Sequence, residues 1–579
     1  MQKNLKFLID QKEIEAAEGK TVLQAAAENG IKIPALCYHP DLKIKSNCRL
    51  CLVEIKGEKG LVPACRAIIK EGMEVKTRSE KIDRTRKVNL ELLFAQHIEE
   101  CDDCNLAKDC LLLGLAREYK ANIQRFLDRK KNRKVYQFGP IVFDQTKCID
   151  CRNCVEACAE QSVGFLQSRG QGAGTEIFPS LCQERDCVYC GQCIMHCPVG
   201  AIEAAGEFEN SEEFLKKDGK IKIFQFAPAI RASIGESFNL PAGSVVTGQL
   251  VAAIKALGAD KVFDVSVAAD FTTMEEAQEL IEKVKSNTTP CLTSCCPAWV
   301  KYLEFNYPNL IDHLATTRSP QIIMGGLVKT YWAQKEKINP KDIMVISVMP
   351  CTAKKYEIQR KELEVNGLRP VDYVMTTREL AYLLKKKKIN LAGIKPEAAD
   401  SPMGDPSGAG VIYGASGGVV ESALRTAYYK LTGKNLEKLE FEQVRGMDGI
   451  KKAEIDIEGK KIKIAVINGL GNAKKVLEEL KRDPKAYDAI EVMACPGGCI
   501  GGGGQPIPVS PKIRKQRAEA LYLIDQGKAN RLAHQNPDVI KVYEEFLNND
   551  KIIHKVCHTS YNAKTKGEIK ILKNSKETK

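Results

Sequence analysis

The feature that most constrains this chain is the uneven distribution of its cysteines. Sixteen of the 23 cysteines lie between Cys37 and Cys197, whereas the whole chain of 579 residues contains only seven histidines. In a reducing compartment, clustered cysteines bind metal more often than they form disulfides. The first 200 residues are therefore predicted to hold several metal sites with sulfur ligands, and their fold must be built around those sites.

The remaining composition is that of an ordinary globular protein. Hydrophobic residues make up 44% and charged residues 28% of the chain, and no run approaches the roughly 18–20 apolar residues of a membrane span. The first residues, MQKNLKFLIDQKEIE, lack the apolar segment of a signal peptide, so a cytoplasmic location is expected. Cluster thiolates would offset much of the net charge of +13, and no basic repeat indicates nucleic-acid binding.

Four cysteines near the N-terminus form the first metal pattern. Their spacing is Cys37-x10-Cys48-x2-Cys51-x13-Cys65. Four thiolates are sufficient for a 2Fe-2S cluster, and a structural zinc site is the alternative. The segments LKFLID and VEIKG are typical of strands, and VLQAAAENG is typical of a helix. We expect residues 1–79 to form one small mixed domain.

A histidine and three cysteines form the second pattern, His97-x3-Cys101-x2-Cys104-x5-Cys110. With the first pattern it resembles the N-terminal part of the large iron–sulfur subunit of respiratory complex I. The resemblance implies a 2Fe-2S domain of β-grasp fold and a helical 4Fe-4S domain, residues 80–137, with one histidine and three cysteine ligands. The alternative is that His97 is a surface or helix-end residue. As a ligand in place of a thiolate, an imidazole is expected to raise the reduction potential.

Residues 138–210 contain two cysteine runs of one design. The runs are Cys148-x2-Cys151-x2-Cys154-x3-Cys158 and Cys187-x2-Cys190-x2-Cys193-x3-Cys197. This is the signature of bacterial ferredoxins with two 4Fe-4S clusters, in which the fourth cysteine of each run binds the other cluster. We therefore expect Cys197 to join the first three cysteines and Cys158 to join Cys187, Cys190 and Cys193. Ala159 stands where proline often follows the fourth cysteine, which leaves all ligands intact.

The sequence changes character from about residue 221. Apolar segments such as KIKIFQFA and DIMVISVM alternate with helical segments such as MEEAQELIEKVKS, which indicates α/β architecture with largely parallel sheets. The Lys-rich tail after about residue 565 is expected to be frayed. Since four clusters in series form an electron relay, residues 211–579 are expected to form the domain in which those electrons are used.

Five of the seven remaining cysteines lie in three short motifs. These are TSCCPAW at 293–299, MPCTAKKYE at 349–357 and MACPGGC at 493–499, the last followed by a run of glycines, Gln505 and Pro506. In this order they resemble the signatures of di-iron (FeFe) hydrogenases, and the preceding modules resemble the accessory domains of that family's larger members. The resemblance covers the chain to about residue 560. It implies reversible reduction of protons to dihydrogen, with electrons relayed through four accessory clusters.

The resemblance also implies how the active-site cofactor, the H-cluster, is held. A 4Fe-4S cube would be bound by Cys296, Cys351, Cys495 and Cys499, and Cys499 would bridge to a di-iron subcluster that carries CO, cyanide and an azadithiolate. Lys354 would donate a charge-assisted hydrogen bond to a cyanide. The residues that would line or support the pocket are Pro228, Ala229, Gln321, Met349, Glu357 and Met493. For the two methionines, plain core packing is an equally good interpretation.

A proton path is implied by three further residues. Cys295 is not needed as a ligand and would relay protons to the cofactor, since a thiol exchanges protons near neutral pH. Glu276 and Glu279 lie three residues apart, on one face of the predicted helix, and match the carboxylates of the family's path. A serine is frequent between the two glutamates in the family, whereas this chain has Ala315 followed by Thr316. Either Thr316 or a water would bridge the gap, or the route differs.

The predicted electron partner is ferredoxin, a flavin-containing NAD-binding subunit, or both, and dedicated maturases would install the di-iron unit. Two alternatives remain open: an iron–sulfur subunit of an NADH oxidoreductase, and a hydrogenase-like sensor or assembly protein. The dinucleotide fingerprint that the first would need is incomplete, because Lys474 replaces its third glycine after Gly469 and Gly471. Three cysteines without a role, Cys182, Cys291 and Cys557, are expected to be buried thiols.

Overall fold

The structure is a computed structural model that describes residues 3–97, 101, 110–126, 133–206, 212–216, 219–457 and 459–572. Helices and strands are mixed along the whole chain, and the expected multidomain α and β organisation is confirmed. The predicted ligand Cys104 lies outside the described residues. None of the described helices combines the length and the apolar character that a bilayer crossing requires.

The N-terminal region is a five-stranded sheet with one helix packed on it. The sheet order is β2-β1-β5-β3-β4, in which β1 and β5 are parallel and the other pairs are antiparallel. Alternate residues of β1 are buried, as expected for a strand with one covered face. Thr21 caps the helix in a reciprocal capping box with Gln24. The elements are β1 (Asn4–Ile9), β2 (Lys12–Ala17), α1 (Val22–Glu28), β3 (Leu52–Ile55), β4 (Leu61–Pro63) and β5 (Glu74–Lys76).

Two helices follow, α2 (Glu80–Phe94) and α3 (Leu111–Glu118). Arg86 of α2 is buried and donates hydrogen bonds to the carbonyl oxygens of Leu50 and Leu52, at 2.8 and 2.9 Å, and to the Tyr119 hydroxyl at 2.9 Å. A buried guanidinium is tolerated only when its N–H groups are paired in this way. Arg86 therefore fixes α2 to the loop that carries Cys48 and Cys51.

The third region carries two short helices and two small sheets. A two-stranded sheet pairs β8 with β9, and a four-stranded sheet has the order β10-β7-β6-β19. Its elements are β6 (Val135–Phe138), β7 (Ile141–Asp144), α4 (Asn153–Glu160), β8 (Leu166–Arg169), β9 (Glu176–Pro179), α5 (Gln192–Met195) and β10 (Ile202–Ala204).

The expectation of a frayed C-terminal tail is wrong for residues 569–572. They form the strand β19 (Ile569–Leu572), which pairs antiparallel with β6 from Phe138 to Val135. This pairing satisfies backbone hydrogen-bonding groups of β6. The composition of the tail does not reveal such a distant partner. The last strand of the chain thus completes a sheet of the third region.

The fourth region contains two four-stranded sheets. The first has the order β12-β11-β14-β15 and is entirely parallel; the second has the order β13-β18-β17-β16, with only β16 antiparallel. All seven residues of β14 are buried, as expected for a strand with both faces covered. The strands are β11 (Ile221–Phe226), β12 (Lys261–Asp264), β13 (Cys291–Leu292), β14 (Ile343–Met349), β15 (Tyr373–Thr376), β16 (Ile450–Ile457), β17 (Lys460–Asn468) and β18 (Ala489–Met493).

Helices surround both sheets. They are α6 (Thr247–Ala256), α7 (Ser266–Ser286), α8 (Pro297–Asn306), α9 (Pro320–Leu327), α10 (Ala333–Lys335), α11 (Ala353–Glu357), α12 (Thr377–Lys386), α13 (Gly408–Val411), α14 (Gly418–Thr432), α15 (Leu470–Arg482), α16 (Pro511–Gly527), α17 (Pro537–Glu545) and α18 (Asp550–Cys557). All three cysteine motifs lie where strands β13, β14 and β18 end. In open α/β sheets, ligands bind outside the carboxyl ends of the strands.

The first, third and fourth regions meet at one carboxylate. Asp41 accepts two hydrogen bonds from Arg514 of α16, both at 2.7 Å. His196, which follows α5, lies 3.7 Å from the same carboxylate through Nε2. The rings of His39 and His196 are packed edge to face with centroids 4.3 Å apart. Asp41 thus joins the N-terminal region to the two regions that follow it.

Candidate metal centres and active-site cavity

The four N-terminal cysteines are buried and lie together. The Cys48 N–H donates to the Cys37 sulfur at 3.4 Å, and the Ser46 hydroxyl lies 3.3 Å from the Cys65 sulfur. A hydrogen bond from the Cys48 thiol lowers the pKa of Cys37 to about 6, and one from Cys51 does the same for Cys65. Low pKa values favour the thiolate form that binds metal.

The second pattern is only partly described. His97 Nδ1 lies 2.8 Å from the Lys147 carbonyl oxygen. Since a carbonyl only accepts, Nδ1 carries the proton and Nε2 is the unprotonated nitrogen that could bind a metal. Cys110 caps α3, with its sulfur 3.4 Å from the Leu113 N–H. Cys101 is half-buried.

The cysteines of the two ferredoxin-like runs lie close to one another. Burial and the neighbouring sulfurs of Cys197 and Cys148 raise the pKa of Cys151. Burial and the neighbouring sulfurs of Cys193, Cys190 and Cys158 raise the pKa of Cys187. The crossed ligand sets remain a prediction, which agrees with the nearness of Cys197 to Cys151 and of Cys158 to Cys187. Backbone N–H groups approach several of these sulfurs, among them Phe165 N to Cys158 at 3.1 Å and Ala201 N to Cys197 at 3.2 Å.

A cavity lies between the ends of the strands of the two sheets in the fourth region. Its lining is mostly apolar, and the exceptions are sulfur atoms, one lysine, one glutamine and one tyrosine. Residues named from the sequence that line it are Pro228, Ala229, Cys295, Cys296, Gln321, Met349, Cys351, Lys354, Met493, Cys495 and Cys499. Cys296 sits at the N-cap of α8, and the Ala494 N–H donates to its sulfur at 3.4 Å. Five cysteines thus border one apolar chamber, and four of them are the predicted ligands of the cube.

Lys354 is held in the wall of this cavity by defined partners. Its Nζ donates to the Cys295 carbonyl oxygen at 3.0 Å and to Glu357 at 2.9 and 3.1 Å. Glu357 also accepts a hydrogen bond from the Gln321 side chain. Burial lowers the pKa of Lys354, but the charge and hydrogen bonds of Glu357 and the nearby Cys351 and Cys295 together outweigh it, and the net shift is upward. Lys354 is therefore a fixed cation beside the four cysteines.

Glu276 and Glu279 lie on α7, outside the lining of the cavity, and their surroundings differ. Burial and the charge of Glu279 raise the pKa of Glu276 to about 8. A hydrogen bond from the Ser294 backbone opposes this shift without cancelling it. Glu276 in turn raises the pKa of Cys295, after the larger effect of burial. Glu276 is thus the carboxyl group next to Cys295, and its raised pKa favours the protonated form.

Glu279 is bound on the outer side of the pair. It accepts hydrogen bonds from the Thr316 and Thr317 N–H groups at 2.7 and 2.8 Å and from both hydroxyls. His558 Nδ1 lies 3.4 Å from it. Burial raises the pKa of Glu279, but the bonds from His558 and the threonines lower it by more. Ala315 supplies no hydroxyl, and the threonines that follow it contact Glu279.

Sequence reasoning missed two residues of this site. The Tyr413 hydroxyl lies 2.9 Å from the Thr273 hydroxyl, and the ring lines the cavity. His558 pairs with Glu275 at 3.1 Å as well as with Glu279. Burial opposes the charge on His558, but the two glutamates raise its pKa to about 9. Neither residue lies in a recognisable motif, and no local signal could have found them.

The cysteines without a predicted role fall into two groups. Cys291 and Cys557 are buried, as expected. The expectation for Cys182 is wrong, because it is exposed and its thiol donates to Glu184 at 3.2 Å. Cys182 lies in a polar loop after β9, where side chains have little to pack against.

Family models match most of the chain. Residues 220–503 match the model described as iron only hydrogenase large subunit, C-terminal domain, and residues 511–564 match iron hydrogenase small subunit. Residues 2–80 match a 2Fe-2S iron-sulfur cluster binding domain, and residues 147–201 match a 4Fe-4S dicluster domain.

Individual relatives span the chain from end to end. It is 40% identical to the NADP-reducing hydrogenase subunit HndD of Solidesulfovibrio fructosivorans, over 96% of this chain and 98% of that protein. It is 39% identical to iron hydrogenase 1 of Clostridium pasteurianum, over 96% and 99%. Among solved structures, a variant of apo [FeFe]-hydrogenase HydA1 of Chlamydomonas reinhardtii is 38% identical with a TM-score of 0.56, over 61% of this chain and 98% of that one.

Proposed function

The chain belongs to the iron-only (FeFe) hydrogenase family, and from that premise we propose that it interconverts two protons and two electrons with dihydrogen in the cavity bordered by Cys295 and Cys499. The observation that carries this proposal is that three kinds of functional group lie around one cavity. Four cysteines, the buried lysine Lys354 and a chain of proton-bearing groups all converge on the same apolar chamber.

The residues around the cavity fit the cofactor of this family. Cys296, Cys351, Cys495 and Cys499 would hold a 4Fe-4S cube, and Cys499 would also bridge to the di-iron subcluster. When bound, that cofactor supplies the site at which protons and electrons combine. The chamber beside these sulfurs has few competing polar atoms. Lys354 would donate a hydrogen bond to a cyanide ligand in place of one of its bonds to Glu357 or the Cys295 carbonyl oxygen. Met349, Met493, Pro228 and Ala229 would exclude water.

Protons would move between the surface and the cavity through Glu279, Glu276 and Cys295. Burial and the charge of Glu279 raise the pKa of Glu276 to about 8, which favours the protonated form that a relay needs. Cys295 lies against Glu276 on one side and borders the cavity on the other. A thiol between a carboxylic acid and the reaction centre is a suitable relay for general acid–base transfer. Thr316 and Thr317 would hold Glu279 in place.

Electrons would reach the cavity through four accessory clusters. The 2Fe-2S cluster would be held by Cys37, Cys48, Cys51 and Cys65. The first 4Fe-4S cluster would be held by His97, Cys101, Cys104 and Cys110. The other two 4Fe-4S clusters would be held by Cys148, Cys151, Cys154 and Cys197 and by Cys158, Cys187, Cys190 and Cys193. We propose the corresponding domains as residues 1–79, 80–137, 138–210 and 211–579. Because clustered free cysteines are typical of a reducing compartment, we propose that the reaction takes place in the cytoplasm.

The electron partner would dock at the N-terminal cluster. The loop that contains Cys48 exposes Lys43 and Ile44, and the segment after Cys65 exposes Arg66 and Ile68. The contact between Ser46 and the Cys65 sulfur brings these two segments together. A basic rim with exposed apolar residues suits an acidic redox protein. Ferredoxin or a flavin-containing NAD(P)-binding subunit is the proposed partner, with the second supported by the similarity to an NADP-reducing hydrogenase subunit. Maturases would supply the di-iron unit.

The decisive test is dihydrogen evolution from reduced viologen by the chain, after loading with iron–sulfur clusters and a synthetic di-iron cofactor. We expect rapid evolution that CO inhibits and that Cys295→Ala reduces by about 10²-fold or more. Cys291→Ala, another buried cysteine four residues earlier, should retain most of the activity. Absence of evolution from a spectroscopically confirmed, fully loaded site would refute the proposal and favour a sensor.

A further inference from the structure

One ferredoxin-like cysteine loop lies directly against the active-site loops. The Cys190 carbonyl oxygen is 3.9 Å from the Cys495 sulfur, and the Thr352 hydroxyl donates to the Tyr189 carbonyl oxygen at 2.7 Å. The Gln192 side chain donates to the Gly501 carbonyl oxygen at 3.0 Å. This loop is therefore the last element of the electron relay before the cavity.

A buried ion pair lies at the same contact. Lys301, on the second turn of α8, and Asp186, directly before Cys187, form an ion pair, and both side chains are at most 3% exposed. Asp186 also accepts a hydrogen bond from the Cys187 N–H at 2.8 Å. Lys301 Nζ lies 4.9 Å from the centre of the Tyr189 ring, and the Tyr189 N–H donates to the Cys187 sulfur at 3.4 Å. Asp186 is thus the neighbour of a cysteine in this loop, and the Lys301 ammonium lies against the ring of Tyr189 in the same loop.

Stability alone is a weak reason for such a pair. Removing two charges from water costs several kcal/mol, and the ionic attraction often fails to exceed that cost. Charges in a protein interior are poorly screened, however, and act strongly on nearby groups. The reduction potential of an iron–sulfur cluster depends on the charge and hydrogen bonding around it. A pair of opposite charges beside a cluster can therefore set its potential.

We propose that Lys301 and Asp186 set the reduction potential of the relay cluster bound by Cys158, Cys187, Cys190 and Cys193; this inference rests on the ligand set proposed above. Reduction adds one electron, and so one negative charge, to the cluster. The Lys301 ammonium stabilises that reduced form and raises the potential. The Asp186 carboxylate opposes it and lowers the potential. Lys301 and Asp186 are positioning residues, since neither contacts the reacting atoms.

The test is an EPR-monitored redox titration of the full chain with its iron–sulfur clusters reconstituted. K301Q should shift the midpoint potential of this relay cluster to a more negative value, and D186N should shift it to a more positive value. K301R keeps the charge and should stay close to the wild-type potential. The N-terminal 2Fe-2S cluster, with its distinct EPR signal, should keep its potential in every variant.

The opposite signs of the two shifts in midpoint potential distinguish an electrostatic effect from structural disruption. Structural disruption would move both variants in one direction, and that result, or an unchanged potential in both, would overturn the inference. If K301Q does not retain its clusters, the double variant K301Q/D186N should return from the D186N potential toward the wild-type one, and failure to return would refute the proposal. Iron content identifies the other failure: a wild-type chain that lacks the relay clusters would contradict the ligand assignment itself.

Discussion

At the scale of the residue, two glutamates on one helix have pKa values shifted in opposite directions because their surroundings differ. Burial and the charge of Glu279 raise the pKa of Glu276 to about 8, against the effect of a hydrogen bond from the Ser294 backbone. Glu279, three residues later, is bonded by two threonines and His558, which hold its pKa below the usual range despite its burial. These shifts favour a neutral acid on the inner side and an anion on the outer side of the proposed path.

We predict that Glu276→Gln lowers dihydrogen evolution by about 10²-fold or more, because an amide occupies the same space but cannot release a proton. Electron transfer should be unaffected, so the potentials of the accessory clusters should match those of the wild type. Glu282→Gln is the control, since Glu282 is exposed on the same helix. An E276Q enzyme with wild-type turnover would exclude Glu276 from the path.

The same substitution should change the dependence of stability on pH. Between about pH 4.5 and pH 8 the unfolded chain has lost the Glu276 proton while the folded chain retains it. Folding therefore binds a proton in this window, and the wild type loses up to about 1.4 kcal/mol of stability for each pH unit that the solution is raised. E276Q lacks this loss. The difference in melting temperature between E276Q and the wild type should thus increase in favour of E276Q from about pH 5 to pH 8.

At the scale of the element, strands and motifs were predictable, whereas long-range partners were not. The apolar segments that become β11 and β14 were recognisable because a strand buried on both faces is continuously apolar. The motif cysteines were recognisable because their spacing is local. Tyr413 and His558 were not, because their partners Thr273 and Glu275 lie 140 and 283 residues away. Only the fold brings such pairs together.

We predict that Gly503→Ala separates the relay loop from the active-site loops. A Cβ at this position would lie 2.5 Å from the Cys190 carbonyl oxygen and 2.6 Å from the Gly191 Cα, so backbone must move. The expected cost is about 1–3 kcal/mol of stability, together with slower electron delivery to the cavity. Stopped-flow reduction and melting temperature would measure both.

The control for this substitution is Gly527→Ala, because a Cβ at Gly527 would meet no atom within 4 Å. Its stability should stay within about 0.5 kcal/mol of the wild type. Equal effects of the two substitutions would mean that close packing at Gly503 is unimportant.

At the scale of the whole molecule, the Asp41 junction holds three regions together. We predict that Arg514→Gln, which leaves Asp41 without its bidentate partner, costs roughly 3 kcal/mol or less, since breaking a buried ion pair is expensive and this one is slightly exposed. Limited proteolysis should release an N-terminal fragment faster. The double variant R514Q/D41N removes both charges and should lose less than R514Q alone. Equal losses in the two variants would contradict a role for the ion pair.

The strand β19 has a consequence for how the molecule is made. Residues 569–572 complete a sheet whose other strands lie between Val135 and Ala204. During synthesis those strands leave the ribosome several hundred residues before β19 does. The ferredoxin-like region must therefore keep an open sheet edge until residues 569–572 have been synthesised, and removal of this strand would damage the proposed electron relay rather than the cavity. The sheet is thus completed late, although its other three strands emerge from the ribosome several hundred residues earlier.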